Sequence, residues 1–129
     1  MAGETILIVE DNELNLELAT DLLESAGYIV RQARTAEEAI QAARTTQPHL
    51  ILMDIGLPGM DGLAATRALK ADPATRQIPV LAVTSHAMKG DEDKARASGC
   101  SGYITKPIDT RAFPATVARL LATGGHKPD

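Results

Sequence analysis

Residues 50–54 read Leu-Ile-Leu-Met-Asp, an apolar run that stops on a carboxylate. Three further apolar runs also stop at side chains that can bind metal or phosphate. These side chains are Glu10 and Asp11 after the first run, Thr84 after the third and Lys106 just after the fourth. If the runs are parallel strands of one sheet, their polar ends gather at its carboxyl edge, where open α/β sheets bind ligands. The sequence therefore predicts one pocket that combines three carboxylates, a hydroxyl and an ammonium.

The length and charge of the chain restrict its class. With 129 residues it fits a single domain with one hydrophobic core. Its formal net charge of −4 and the lack of a Lys/Arg block argue against nucleic acid or an anionic membrane as the main partner. Two Tyr, one Phe and no Trp leave few platforms for stacking bases.

Cysteine use and the first residues indicate a soluble cytoplasmic protein. Cys100 is the only cysteine, so an internal disulfide is impossible, and without a Cys/His cluster a structural zinc site is not expected. Residues 1–10 carry no basic segment and only five consecutive apolar residues, which predicts neither a signal peptide nor a membrane span.

Short apolar runs alternate with helical patterns along the chain. Strands are predicted near Thr5–Val9, Tyr28–Ala33, Leu50–Asp54, Val80–Thr84 and Gly102–Thr105. Three of them are apolar at successive positions, as expected for parallel strands covered on both faces. The second includes Arg31 and Gln32 and is predicted to be an edge strand. Five successive βα units imply right-handed crossovers and an open, doubly wound α/β sheet.

The helices are predicted from caps and spacing. Leu14, Leu18, Leu22 and Ala26 repeat every four residues, between a capping Asn12 and a terminating Gly27. Thr35 with Glu38 forms a capping box for the second helix, which continues through Ala39, Ile40 and Ala43. The third helix begins at Asp61-Gly62 and ends before Pro73. The fourth helix is predicted near Met88–Ser98. The fifth starts at Asp109 and fades by Gly124, and Pro114 predicts a late start or a bend.

The predicted pocket has a definite chemistry. Carboxylates about 4 to 6 Å apart repel one another by a few kcal/mol per pair at an effective dielectric near 20, so they require a cation. Oxygen ligands favour a hard divalent ion, and Mg²⁺ is the common choice where a phosphoryl group shares its coordination. Asp54 is the best candidate nucleophile, because a carboxylate can attack phosphorus to give an aspartyl phosphate. Lys106 would help to offset the phosphoryl charge.

Four segments together resemble one family. They are Ile-Val-Glu-Asp-Asn at 8–12, Leu-Ile-Leu-Met-Asp-Ile-Gly-Leu-Pro-Gly-Met-Asp-Gly at 50–62, Ile-Pro-Val-Leu-Ala-Val-Thr at 78–84 and Gly-Tyr-Ile-Thr-Lys-Pro at 102–107. In this order and spacing they resemble bacterial two-component response-regulator receiver domains, from about Thr5 to Leu121. The resemblance implies a flavodoxin-like five-stranded parallel sheet in the order 2-1-3-4-5 with five helices.

The resemblance also implies roles for single residues. Asp54 would be the phosphoacceptor, Asp11 a direct Mg²⁺ ligand, Glu10 a ligand through water, and the Gly56 backbone carbonyl a further ligand. Thr84 would hydrogen-bond the phosphoryl group, Lys106 would pair with it, and the Lys106–Pro107 peptide bond would be cis. We expect Tyr103 to act as a switch that rotates when Thr84 moves toward the phosphoryl group.

Partners and domain extent follow from the same resemblance. A sensor histidine kinase or a histidine phosphotransfer protein would dock near the first helix and the pocket rim. A downstream protein target would bind the face around Met88, Ala95, Tyr103 and the fifth helix. We expect a single receiver domain over residues 1–129, with a core from about 5 to 122 and a frayed tail at 123–129. Eight residues after Leu121 are too few for an output domain, which favours a stand-alone receiver, although a receiver excised from a hybrid kinase would look the same.

Other interpretations compete with this one. The role of Glu10-Asp11-Asn12 could be limited to capping the first helix. Thr84 could be an ordinary strand residue and Lys106 a solvated surface residue. Three glycines could be ordinary turn residues: Gly56, Gly59 and Gly62. A haloacid-dehalogenase-type phosphatase would need a second acid at position 56, and a flavodoxin-like flavin carrier would not place two acids in its first loop. The main alternative is a receiver that binds proteins without being phosphorylated. We also expect His86 to border the pocket and to influence acyl-phosphate lifetime.

Overall fold

The predicted strands form one parallel sheet. A computed structural model describes residues 3–55, 62–84, 91–105 and 108–124. The strands are β1 (Thr5–Val9), β2 (Ile29–Ala33), β3 (Leu50–Asp54), β4 (Val80–Thr84) and β5 (Gly102–Thr105), and the helices are α1 (Glu13–Ser25), α2 (Ala36–Thr46), α3 (Gly62–Ala71), α4 (Asp91–Ser98) and α5 (Ala112–Gly124). The strand order β2-β1-β3-β4-β5 confirms the predicted topology.

Helices cover both faces of the sheet. On one face, alternate residues of the central strands pack against buried residues of α1 and α5, such as Leu16 and Val117. On the other face, the intervening strand residues pack against α2, α3 and α4, through residues such as Ala39 and Leu69. The central strands are apolar at nearly every position because both of their faces are buried. Cys100 belongs to the second of these clusters, and burial raises the pKa of its thiol.

The apolar repeat predicted for α1 identifies the helix but not its buried face. Leu14 is 76% exposed and Leu18 40% exposed, whereas the residues that α1 buries are Leu16, Ala19 and Leu23. Spacings of three and four residues place those three on one face. The leucines at positions 14 and 18 therefore lie on the outward side, and the prediction was wrong on this point.

Caps define the first two helices as predicted. Asn12 accepts a hydrogen bond from the Asn15 N–H, and Gly27, just beyond α1, has φ of 98°. Thr35 accepts from the Glu38 N–H at 3.1 Å. The Glu38 carboxylate accepts a hydrogen bond from the backbone N–H of Arg34, one residue before the cap, instead of from the N–H of Thr35 itself. Both helices thus begin at side chains that satisfy free N–H groups.

The last helix begins three residues later than predicted. Its first residue is Ala112, and the Asp109 carboxylate accepts bonds from the N–H groups of Arg111 and Ala112. This start leaves Pro114 within the first turn, where N–H groups have no intrahelical partner and the missing donor costs little. α5 ends at Gly124, so residues 123 and 124, predicted to start a frayed tail, belong to the helix.

Some predicted features lie outside the described residues. They are Asp61 before α3, the first part of the predicted fourth helix from Met88 to Gly90, and the tail from residue 125 onward. Within the described parts, β2 lies at one edge of the sheet, as predicted, and β5 lies at the other. No described helix combines the length and the apolar composition that crossing a bilayer requires.

Candidate metal centre

Three acidic side chains meet at the carboxyl edge of the sheet. One carboxylate oxygen from each of Glu10, Asp11 and Asp54 lies within 4.8 Å of the other two. Residue 54 is more than forty positions away in sequence, and the parallel pairing of β1 with β3 brings it next to the first two. The structure thus brings together the carboxylates that the sequence predicted would converge.

Backbone pairing fixes the two buried carboxylates. The Glu10 N–H donates to the Ala33 carbonyl of β2 at 3.0 Å, and Glu10 Oε2 accepts from the Asn12 N–H at 3.1 Å. Asp54 is the last residue of β3, in register with Val83 of β4. Glu10 is 5% exposed and Asp54 7% exposed, whereas Asp11 is exposed. Glu10 and Asp54 therefore lie in the buried part of the site, and Asp11 lies at its solvent-exposed opening, the mouth of the site.

The electrostatics of this group favour a cation. At 4.8 Å, two full negative charges repel by about 3 kcal/mol at an effective dielectric near 20. Burial adds a cost, because a charge removed from water needs compensation. Three oxygen donors with a shared negative charge suit a small hard divalent ion such as Mg²⁺. The residues present therefore fit the metal that the sequence predicted.

Thr84 lies on the strand next to the acids. It ends β4, is 6% exposed and follows Val83, the register partner of Asp54. Its backbone is therefore one position beyond the end of β3 on the adjacent strand. Of the other predicted site residues, Gly56, Lys106 and Pro107 lie outside the described residues, as does His86.

Gly62 has a steric role that the sequence did not reveal. A Cβ built on Gly62 would lie 2.5 Å from the backbone oxygen of Asp54 and 2.6 Å from the Cα of Ile55. The first residue of α3 therefore touches the backbone that carries the buried acid. The sequence predicted an ordinary turn glycine, and only the folded path of the chain shows that a side chain is excluded there.

Tyr103 lies beside a surface groove. The ring is half-buried, packs against the cluster under α2, α3 and α4, and borders a groove of about 430 Å³ between β5 and the start of α5. Glu92 and Asp109 also line this groove. Ala95, which was expected on the partner surface, is fully buried in the core, so that part of the prediction was wrong.

The family and its members match this architecture. The family model for the response regulator receiver domain matches residues 6–118. The chain is 49% identical over 118 residues to the polar-differentiation response regulator DivK of Brucella ovis, covering 92% of this chain and 96% of that protein.

Two crystal structures are similar in fold. A putative response regulator from Chloroflexus aurantiacus superposes with a TM-score of 0.89 at 30% identity, covering 93% of this chain and 98% of the other. The receiver domain of a sensor histidine kinase from Pseudomonas aeruginosa gives 0.87 at 33% identity, covering 95% and 100%, and in that protein a magnesium ion is coordinated in the active site cleft. The chain therefore belongs to the response regulator receiver domain family, whose members are signalling phosphoacceptors of two-component systems.

Proposed function

We propose that Asp54 accepts a phosphoryl group from a phosphohistidine donor. A carboxylate oxygen attacks phosphorus, the bond from phosphorus to the donor breaks, and the leaving group takes the electron pair. The observation that supports this role is the buried position of Asp54 at the end of β3, with the Glu10 and Asp11 carboxylates within 4.8 Å. Glu10 and Asp11 are not needed as nucleophiles and would serve as metal ligands.

The remaining parts of the site have supporting roles. Glu10, Asp11 and Asp54 would hold Mg²⁺, and by the family resemblance the carbonyl of Gly56 would join them. When bound, Mg²⁺ supplies positive charge that offsets the carboxylates and the phosphoryl oxygens. The Thr84 hydroxyl would donate a hydrogen bond to a phosphoryl oxygen, and Lys106 would pair with another. The cis bond between Lys106 and Pro107 remains a prediction from the resemblance.

The phosphodonor docks on α1. Histidine kinases are the partners of this family, and α1 begins two residues after Asp11, at the mouth of the site. Leu14 and Leu18 lie one turn apart on its outward side, with 76% and 40% of their surface exposed. Covering a leucine contributes about 1.5 to 3 kcal/mol, enough to decide a transient contact. Leu14→Asp should slow transfer from a phosphorylated histidine protein while leaving the rate with acetyl phosphate unchanged.

The output partner binds beside Tyr103. The groove bordered by Tyr103, Glu92 and Asp109 offers an apolar floor with acidic side chains. Phosphorylation would draw Thr84 toward Asp54 and bias the orientation of Tyr103, which shifts a pre-existing equilibrium. A Tyr103 ring with the same orientation in free and beryllofluoride-bound crystals would contradict this switch.

The proposal extends to the domain and its setting. The receiver core comprises about residues 5–122, which the family match to residues 6–118 supports. We place the protein in the cytoplasm, where kinases of this class present their phosphohistidine. We also propose that it catalyses its own phosphorylation and a slow dephosphorylation, but no metabolic reaction.

Incubation with acetyl phosphate and Mg²⁺, followed by intact-mass measurement, tests the function. Wild-type protein should gain one phosphoryl group, mapped to Asp54. The isosteric variant Asp54→Asn and wild-type protein with a chelator should gain none. An unmodified wild-type protein at saturating reagent would instead favour a receiver that binds partners without phosphorylation.

A further inference from the structure

A small cavity is lined by two of the three acidic residues of the metal centre. Its volume is about 10 Å³, and its polar lining comes from Glu10, Asn15 and Asp54. The rest of the lining is apolar, from β1, β3, β4, α1 and Ile108. Asp11, which completes the carboxylate group, is not among the described residues around this cavity. The cavity therefore shares Glu10 and Asp54 with the metal centre but is not lined by Asp11.

Asn15 lines this cavity from helix α1. It lies on the first turn of α1 and is half-buried, and its backbone N–H donates to the Asn12 side chain at 3.0 Å. Among the described residues, the side-chain amide makes no hydrogen bond with the protein. A carboxamide carries two donor hydrogens and an acceptor oxygen. An amide that borders a cavity with two carboxylates therefore has hydrogen-bonding capacity to offer a ligand.

The size of the cavity selects the ligand. A single water molecule requires a cavity volume of about 10 to 15 Å³ and two to four polar partners, and this cavity supplies both. Mg²⁺ requires near-octahedral coordination by about six oxygens, which three polar groups in so small a volume cannot provide. Both the polar groups that line the cavity and the volume of the cavity therefore fit a single water molecule.

We propose that one water molecule binds in this cavity and bridges the Asn15 amide to the carboxylates of Glu10 and Asp54, which makes Asn15 a positioning residue for the phosphoacceptor. The part that concerns phosphorylation rests on the proposed function of Asp54. The bridge would add a restraint on rotation of the Asp54 carboxylate. Attack on phosphorus depends on such alignment.

Asn15→Leu tests the kinetic part. Leucine matches asparagine in branching and size but offers no hydrogen bond, so the water loses one partner. We expect the phosphorylation rate constant at saturating acetyl phosphate and Mg²⁺ to fall about tenfold. The Kd for Mg²⁺, measured by calorimetry, should change by less than about twofold, because Asn15 is not one of the metal ligands and all three carboxylates remain in the variant. A purely structural role would change affinity, rate and thermal unfolding together.

Glu17→Leu is the matched control. Glu17 is an exposed residue of the same helix, outside the cavity, and the substitution also replaces a polar side chain with leucine. It should leave the rate constant and the Mg²⁺ affinity at wild-type values. If Asn15→Leu does not fold, Asn15→Ser keeps a hydroxyl and should retain most of the rate. Equal rates for wild type and Asn15→Leu would overturn the positioning role.

A high-resolution crystal structure tests the water itself, independently of phosphorylation. We expect an ordered water about 2.7 to 3.2 Å from the Asn15 amide and from an oxygen of Glu10 or Asp54. An electron-density map that shows no water in this cavity would overturn the proposal. A wild-type protein that cannot be phosphorylated would overturn the proposed function and leave the water site standing.

Discussion

Strands β2 and β3 have the same length and lie in the same sheet, yet their surroundings differ sharply. All five residues of β3 are buried, whereas only Ala33 of β2 is fully buried. The central strand β3 ends on Asp54, and its inner neighbour β1 leads directly into Glu10. The edge strand β2 leads instead into a helix cap at Thr35. Asp54 and Glu10 thus extend from the most buried strands of the sheet, which hold their backbone in place.

The largest expected difference compares one residue type on the two strands. Ile51 of β3 is fully buried, and Ile29 of β2 is 48% exposed. Ile51→Ala should lower the free energy of unfolding by about 2 to 5 kcal/mol, because it removes buried methyl groups and leaves a cavity. Ile29→Ala should change it by less than about 0.5 kcal/mol. Urea denaturation measures both, and similar losses would contradict the distinction between centre and edge.

A second comparison uses two glycines. A Cβ at Gly62 would meet the backbone of Asp54 at 2.5 Å, whereas a Cβ at Gly102 in the edge strand β5 would meet the movable tips of Leu81 and Leu120 at 2.9 and 3.1 Å. Gly62→Ala should destabilise by about 1 to 3 kcal/mol, because backbone has to shift. It should also slow phosphorylation of Asp54.

Gly102→Ala is the control for that experiment. It should cost less in unfolding free energy and leave the phosphorylation rate unchanged, since side-chain tips can rotate away. Equal kinetic effects of the two substitutions would show that the contact of Gly62 with Asp54 does not align the site.

A smaller effect distinguishes the two helix caps. Asn12 caps α1 after the central strand β1, and Thr35 caps α2 after the edge strand β2. Replacing either with alanine should cost about 1 kcal/mol of stability. Only Asn12→Ala should also weaken Mg²⁺ binding. Alanine keeps the backbone N–H that donates to Glu10 Oε2 at 3.1 Å, but loss of the side-chain cap loosens the turn that positions this N–H beside Asp11. Calorimetric titration of both variants measures this, and an equal loss of affinity would contradict it.

The smallest effect concerns the exterior near α2. The N–H of Ala74 and the side chain of Arg44 both donate to Asp72 and hold the pKa of its carboxyl below the ordinary value of 3.8. A lowered pKa contributes stability above the unfolded-state pKa, and this contribution is lost as the pH falls through the folded-state value. Asp72→Asn should therefore lower the melting temperature slightly at neutral pH and have no effect in strong acid. A difference that grows in acid would contradict this.

The sequence predicted the strands better than the helix faces. A strand buried on both sides must be apolar at successive positions, so Leu50–Met53 could be recognised without knowing its neighbours. A repeat of four residues in α1 fits either side of the helix, and packing on the sheet selected Leu16 rather than Leu14. Tertiary contacts decide between such faces.

Some features of the site could be predicted from the sequence pattern, whereas others depend on tertiary contacts. The convergence of Glu10, Asp11 and Asp54 was predictable, because acids after parallel strands share one edge of the sheet. The contact of Gly62 was not, because it depends on where a loop returns. The position of Asn15 beside a cavity lined by Glu10 and Asp54 was also not predicted. A polar residue between Leu14 and Leu16, on the first helical turn after the acids, could have indicated it.

A Mg²⁺ titration followed by amide NMR tests the central claim most directly. If the ends of β1 and β3 form one cation site, the amide signals of Glu10, Asp11 and Ile55 should shift together and saturate, and Asp11→Asn should weaken binding at least about tenfold. Shifts that do not saturate, or that spread over the acidic surface of α1 without involving the end of β3, would contradict it.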